Sequence, residues 1–170
     1  MKREFSMQYW WVLAALFLVS VLPNKVWAET VNYDLTIAQE KVTIEGLSAD
    51  GMTVNGNIPG PTLRFREGDM ARIHVHNRMA VATSIHWHGL LVPPNMDGVP
   101  YISFPPIEPG TTFTYELPIR QSGTYWYHSH TSLQEQRGVY GAIVIEPRHL
   151  PQRADSDHVI LLSDWTTEDP

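Results

Sequence analysis

The chain reads as all-β, a Greek-key β-sandwich or barrel, and three observations carry that reading. Short β-like runs are divided by turn residues drawn from 11 glycines and 13 prolines in 170 residues. No long segment carries the 3.6-residue period of an amphipathic helix. Within Met70 to Asn77, Ile73 and Val75 alternate with Arg72, His74 and His76, the pattern of a strand wet on one face. Runs of this size at this spacing suit a sandwich or a barrel. A hydrophobic content of 43% is enough for one compact core and the beginning of a second.

Taken in order, residues 1–28 read as an export signal. Lys2 and Arg3 precede an apolar run from Trp10 to Leu22, and the small-residue ending Val26-Trp27-Ala28 precedes Glu29. The apolar run falls short of the ~20 residues a spanning helix needs. A cleaved signal and a periplasmic destination are therefore expected, with no stable membrane span. Lys2-Arg3-Glu4-Phe5 also resembles a weakened twin-arginine signal, one of its two arginines being lysine.

Residues 29–147 hold the expected strands Val31 to Ile37, Lys41 to Ile44, Thr62 to Phe65, Met70 to Asn77, Ser84 to Leu90, Thr111 to Leu117, Gly123 to His128 and Val139 to Glu146. Asn55-Gly56, Pro59-Gly60-Pro61 and Pro109-Gly110 supply turns between them. After Glu146 the texture becomes a polar linker containing Pro147 and Pro151. Val159-Ile160-Leu161-Leu162 then reads as the first buried strand of an incomplete second domain, so that 148–170 is expected to continue in a longer protein.

Charge and cysteine narrow the chemistry. The formal charge is -6, and without Lys2, Arg3, Lys25 and Glu4 there remain 9 basic against 17 acidic residues, or -8. Nucleic acid is not an expected partner, because phosphate binding needs a basic footprint. Cysteine is absent. A blue copper centre, which needs a thiolate beside its imidazoles, cannot be built from this chain alone.

The chemistry concentrates in two His-x-His pairs, His86-Trp87-His88-Gly89 and His128-Ser129-His130. Residues i and i+2 of a strand project to one side, roughly 6.5 Å apart. Two such strands lying together would converge four neutral nitrogen ligands, a set suited to copper, zinc, iron or nickel. The bland alternative is a pair of polar strand faces without metal. His74-Val75-His76 has the same spacing, yet it sits beside Arg72 and Arg78 in the amphipathic run and reads as solvent-facing. His149 and His158 read as surface residues of the linker. Trp87, Trp126 and Tyr127 are expected on the opposite side from the ligands, packed into the core.

Asn55-Gly56-Asn57-Ile58-Pro59-Gly60-Pro61-Thr62-Leu63, Glu67-Gly68-Asp69, the His86 motif, Asp97-Gly98-Val99-Pro100 and Gly123-Thr124-Tyr125-Trp126-Tyr127-His128-Ser129-His130 together resemble the N-terminal cupredoxin domain of multicopper oxidases. Asn95-Met96-Asp97-Gly98 and Gln134-Glu135-Gln136 most resemble the bacterial periplasmic copper-resistance members. The resemblance implies that His86 binds type 2 copper and that His88, His128 and His130 bind the type 3 pair, half of a trinuclear cluster. It implies further cupredoxin domains that supply the other ligands and the blue copper. Substrate, such as Cu(I) or a phenol, would lose one electron at a time there, while O2 is reduced to water at the cluster. Asp97 matches the family's acidic residue beside the cluster, a proton relay; an Asp-Gly turn is the plainer role.

Two other classes compete. One is a non-catalytic exported module that binds or sequesters copper through the same four histidines. The other is a cupin-type metalloenzyme, which also begins with His-x-His but needs a Glu shortly afterwards. Here Leu90-Leu91-Val92-Pro93-Pro94 follows instead.

Overall fold

The computed structural model describes residues 28–149, 155–165, 168 and 170. The expected export signal, apart from Ala28, lies outside the described residues. Eight strands form two four-stranded sheets of a Greek-key sandwich of the cupredoxin type. The first sheet runs in the order β2 (Leu47–Val54), β1 (Thr30–Ile44), β4 (Met70–Asn77), β6 (Thr112–Pro118). The second runs β3 (Leu63–Arg66), β8 (Tyr140–Glu146), β7 (Gly123–His128), β5 (His86–His88). β1 pairs parallel with β4 and β3 with β8; the other neighbours are antiparallel.

Each inner face follows the period-2 rule. In β4, Ala71, Ile73, Val75 and Asn77 are buried while Arg72, His74 and His76 stay on the outer face. The core joins Leu35, Ile37, Ile73, Val75, Leu117, Ile143 and Ile145 around fully buried Trp87, Tyr115 and Tyr127. The polar ends of two of these aromatics are used: Tyr127 Oη donates to the Pro61 carbonyl at 3.0 Å, and Tyr115 Oη accepts the Ile85 N–H at 3.2 Å. The Trp87 ring meets Tyr115 edge-on at 5.0 Å.

Four expectations change. Val31 to Ile37 and Lys41 to Ile44 are one strand, β1, because Ala38, Gln39 and Glu40 are also held in register by β2. β2 itself was not expected, its sequence being interrupted by Ser48, Asp50 and Gly51. It forms because Glu45-Gly46, with φ of 52° and 80°, makes the left-handed two-residue turn that folds it onto β1. The strand expected over Ser84 to Leu90 is only His86–His88. Val159 to Leu162 is not a strand: Ile160 and Leu162 are 80% and 88% exposed, and no described strand lies alongside to complete the backbone hydrogen bonds.

Candidate metal centre

The antiparallel pair β5 and β7 sets His86 directly opposite His128 and His88 opposite Trp126. Trp87 and Tyr127 alternate inward, which anchors both strands in the core. The histidines are left on the other face. Ligand atoms of His86, His88 and His128 all lie within 4.8 Å of one another, the one such group among the described residues.

His88 Nδ1 faces His128 Nε2 at 3.3 Å. Two nitrogens held at 2.0–2.1 Å from a shared ion with tetrahedral spacing stand about 3.3 Å apart. The separation and the donor type therefore fit a metal, and an all-imidazole set suits copper. His86 directs Nδ1 at the Asp97 carbonyl oxygen, 2.8 Å away, which leaves Nε2 free. The Asp97 carboxylate is 3.4 Å from the same nitrogen. Gly98, at φ +73°, closes this loop against β5; a Cβ there would run into the Ile85 carbonyl oxygen.

His130 lies past the end of β7 and is exposed. Its ring is 5.6 Å from that of His86 and 6.1 Å from that of His128, so it stands at the rim of the trio. Its N–H donates to Ser84 Oγ at 3.1 Å. Behind these histidines runs a buried polar network that the sequence does not announce. Gln134 Oε1 accepts from Thr83 Oγ1 at 2.7 Å and Ser129 Oγ at 2.9 Å, and its Nε2 donates to the Ala82 carbonyl at 2.8 Å. The Ser84 and Thr131 hydroxyls meet at 2.9 Å. Nothing in a Gln-Glu-Gln run marks its first member as buried; only closeness to His128 hints at a role.

Buried His128 hydrogen-bonds Nδ1 to the Ser129 carbonyl at 2.9 Å, and the Glu135 carboxylate lies 2.8 Å from the same nitrogen, out of line for a hydrogen bond. Burial lowers its pKa from the ordinary histidine value, while the Ser129 carbonyl and Glu135 pull it back up and the neighbouring imidazoles add to the lowering. A neutral imidazole is the form that ligates a metal.

Trp126 corrects an expectation. It is two residues before His128, so it shares the ligand face and does not enter the core. It stacks on His128 at 4.1 Å with 20° between planes, and lies over His88 at 5.0 Å. His74 and His76 are on the outer face as expected, but they are not bare. His74 Nδ1 meets Thr114 Oγ1 at 2.8 Å, His76 Nδ1 meets Thr112 Oγ1 at 2.8 Å, and His76 Nε2 meets Asp34 Oδ1 at 3.0 Å. His149 and His158 are exposed.

Comparison with known proteins gives the family of the chain. The family model described as "Multicopper oxidase" matches residues 36–150. "Copper resistance protein A" of Pseudomonas syringae pv. tomato is 53% identical over 139 residues, 81% of this chain and 23% of the relative. The Escherichia coli protein of the same name is 51% identical over 150 residues, 88% of this chain and 25% of the relative. The chain thus spans about a quarter of the length of these curated relatives. Among solved structures, a multi-copper oxidase from Pseudomonas thermotolerans superposes with a TM-score of 0.68 at 39% identity, over 72% of this chain and 31% of that one. The laccase of Botrytis aclada gives 0.69 at 40%, over 75% and 24%. With the family model covering most of the chain, this protein belongs to the multicopper oxidase family.

Proposed function

We propose that this chain is the N-terminal copper-binding domain of an exported, periplasmic multicopper oxidase serving copper tolerance. The observation that carries the reading is His88 Nδ1 facing His128 Nε2 at 3.3 Å, with His86 completing a trio of nitrogens. His88, His128 and His130 would hold the type 3 pair, and His86 would hold type 2 copper through Nε2. Residues 1–28 are the cleaved signal, 29–147 the cupredoxin domain, and 148–170 the start of the next. The remaining ligands and the blue copper belong to further cupredoxin domains.

When bound, copper would supply one-electron redox chemistry, coupling oxidation of a reducing substrate such as Cu(I) or a phenol to four-electron reduction of O2 to water. The chain's own residues hold that metal and handle protons. His86 is fixed by the Asp97 carbonyl, and the Asp97 carboxylate, partly open to solvent, takes up and releases protons beside it. Trp87 and Tyr127 keep the two ligand strands rigid from the core side.

A second reading is a non-catalytic copper-binding module. It is favoured by the fact that three ligand nitrogens converge within this chain alone. Copper titration of the purified chain tests the shared part of both readings. It should bind copper saturably and show no intense band near 600 nm, roughly the colour of a thiolate-copper centre, and it should not consume O2 with a reducing substrate. Sustained O2 reduction by this chain alone would leave the non-catalytic module wrong and the division of ligands between domains wrong too. Absence of saturable copper binding would remove both readings.

A further inference from the structure

His130 stands where the strand pairing has already stopped. β5 and β7 pair His86 with His128, and the same register carried two residues on would set Ser84 opposite His130, yet β5 begins at His86 and β7 ends at His128. Past that point alternation no longer decides which way a residue projects, because it is a property of a strand held by its neighbours. His130 nevertheless brings its ring to 5.6 Å from that of His86, on the ligand side.

Side chains carry the ladder onward. The His130 N–H donates to Ser84 Oγ at 3.1 Å and the Thr131 N–H to Ser129 Oγ at 3.1 Å, hydroxyls taking the place of the carbonyls a longer strand would offer. Both oxygens are themselves held. Ser84 Oγ meets Thr131 Oγ1 at 2.9 Å, and Ser129 Oγ donates to Gln134 Oε1 at 2.9 Å. Gln134 is fixed in turn by the Thr83 hydroxyl and the Ala82 carbonyl, and its backbone N–H returns to the Thr131 carbonyl at 3.3 Å. Thr83, Ser84, Ser129 and Gln134 are all buried, so losing one partner leaves a buried polar group unsatisfied. His128 is held separately: its Nδ1 bond goes to the Ser129 carbonyl, and the Ser129 N–H is tied to the Val139 carbonyl at 2.9 Å, both through backbone atoms of Ser129.

We propose that Ser129 and Gln134 are positioning residues for His130: the Gln134 amide fixes the Ser129 hydroxyl, the Ser129 and Ser84 hydroxyls prolong the pairing past β7, and His130 is thereby aimed into the space shared by His86, His88 and His128. This rests on the reading of His130 as a ligand. Its consequence is that the fourth imidazole can be lost while the other three stay in place.

The experiment uses the full chain, metal-free, and reads nuclear Overhauser contacts between imidazole ring protons. The parent should show His130 against His86 and His88 against His128. Ser129→Ala and Gln134→Ala should lose the first contact and keep the second. If Gln134→Ala loses both, the sheet itself is damaged, and Ser129→Ala, which deletes a single oxygen, decides alone. The proposal is overturned if His130 keeps its contact with His86 in Ser129→Ala, or if both contacts vanish there together. Cu(I) competed against a coloured chelator reads the same positioning through the metal. Ser129→Ala should cost about 10-fold or more in affinity, as partners behind metal ligands do, and nothing further once His130 is replaced by Ala. A further loss in that background would also overturn the proposal, since Ser129 would then act through another ligand. Failure of the underlying reading looks different: His130→Ala would bind Cu(I) as the parent does, while the ring contacts still behave as stated.

Discussion

The chain contains three His-x-His pairs, and two of them sit on regular strands of opposite sheets, which makes them a natural contrast. His74 and His76 on β4 share the spacing of His86 and His88 on β5. On β4 the neighbours across the sheet are Thr112 and Thr114 on one side and Asp34 on the other, so each ring spends its Nδ1 on a hydroxyl and His76 spends Nε2 on a carboxylate. On β5 the neighbour is β7, which brings His128 directly across from His86. Spacing orients two imidazoles; the adjacent strand decides whether they find a third.

The sharpest way to break this contrast is to remove each pair. Replacing His88 and His128 together by Ala should cost at least about 100-fold in copper affinity, since two imidazole–metal bonds disappear. His74→Ala with His76→Ala should leave affinity within about threefold, because surface changes of this kind rarely reach the site. Calorimetric titration of the two double mutants decides it. Equal losses would mean that the metal sits on the first sheet.

The same contrast explains what was legible in the sequence. Trp87, Tyr127 and the ligands could be sorted by parity because each strand is short and straight, and the sheet-one alternation in Met70 to Asn77 was plain. Trp126 was misplaced although the parity rule itself puts it with His128, and the aromatic character of the residue hid that. β2 escaped because Asp50 and Gly51 break its pattern, and the turn at Glu45-Gly46 that folds it onto β1 is a feature of backbone geometry. Gln134 and Glu135 escaped for a deeper reason. Their segment, which follows His128 and carries Ser129, meets the loop before β5 that carries Thr83, and no local pattern encodes that meeting. The apolar run at Val159 to Leu162 had the composition of a strand but no described partner.

A second prediction uses the two tryptophans, which separate fold from site. Trp87 is fully buried between Tyr115 and Tyr127. Trp87→Ala opens a core cavity and should cost about 3–5 kcal/mol of stability. Trp126 is half-buried and stacked on His128. Trp126→Ala should cost about 1 kcal/mol, a typical value for a change outside the core, while weakening copper binding more than it weakens the fold. Denaturant unfolding of both metal-free variants, set beside their copper titrations, measures the two columns. A larger stability loss for Trp126→Ala than for Trp87→Ala would put Trp126 back in the core.

The smallest effects on copper affinity are expected at the two aspartates, which hold histidines by different atoms. Asp34 reaches His76 with its carboxylate at 3.0 Å, whereas Asp97 reaches His86 with its backbone carbonyl at 2.8 Å and keeps its carboxylate at 3.4 Å. Asn preserves a carbonyl and suits the turn. Asp97→Asn should therefore leave copper affinity within about threefold, as for other changes that spare the bonded atom. Asp34→Asn trades a solvent-exposed carboxylate contact for an amide one, an exchange worth about 0–1 kcal/mol, and should not touch copper at all. The two part company only when protons are consumed. In a full-length protein carrying this domain, Asp97→Asn should slow reoxidation by O2 by about 10²-fold or more, the usual weight of a positioned acid–base group, while reduction by substrate keeps its rate. Asp34→Asn should leave both half-reactions unchanged. Anaerobic reduction followed by mixing with O2 in a stopped-flow instrument reads each half separately. Reoxidation of Asp97→Asn at the parent rate across acidic pH would leave Asp97 as a turn residue whose carbonyl, not its carboxylate, serves the site.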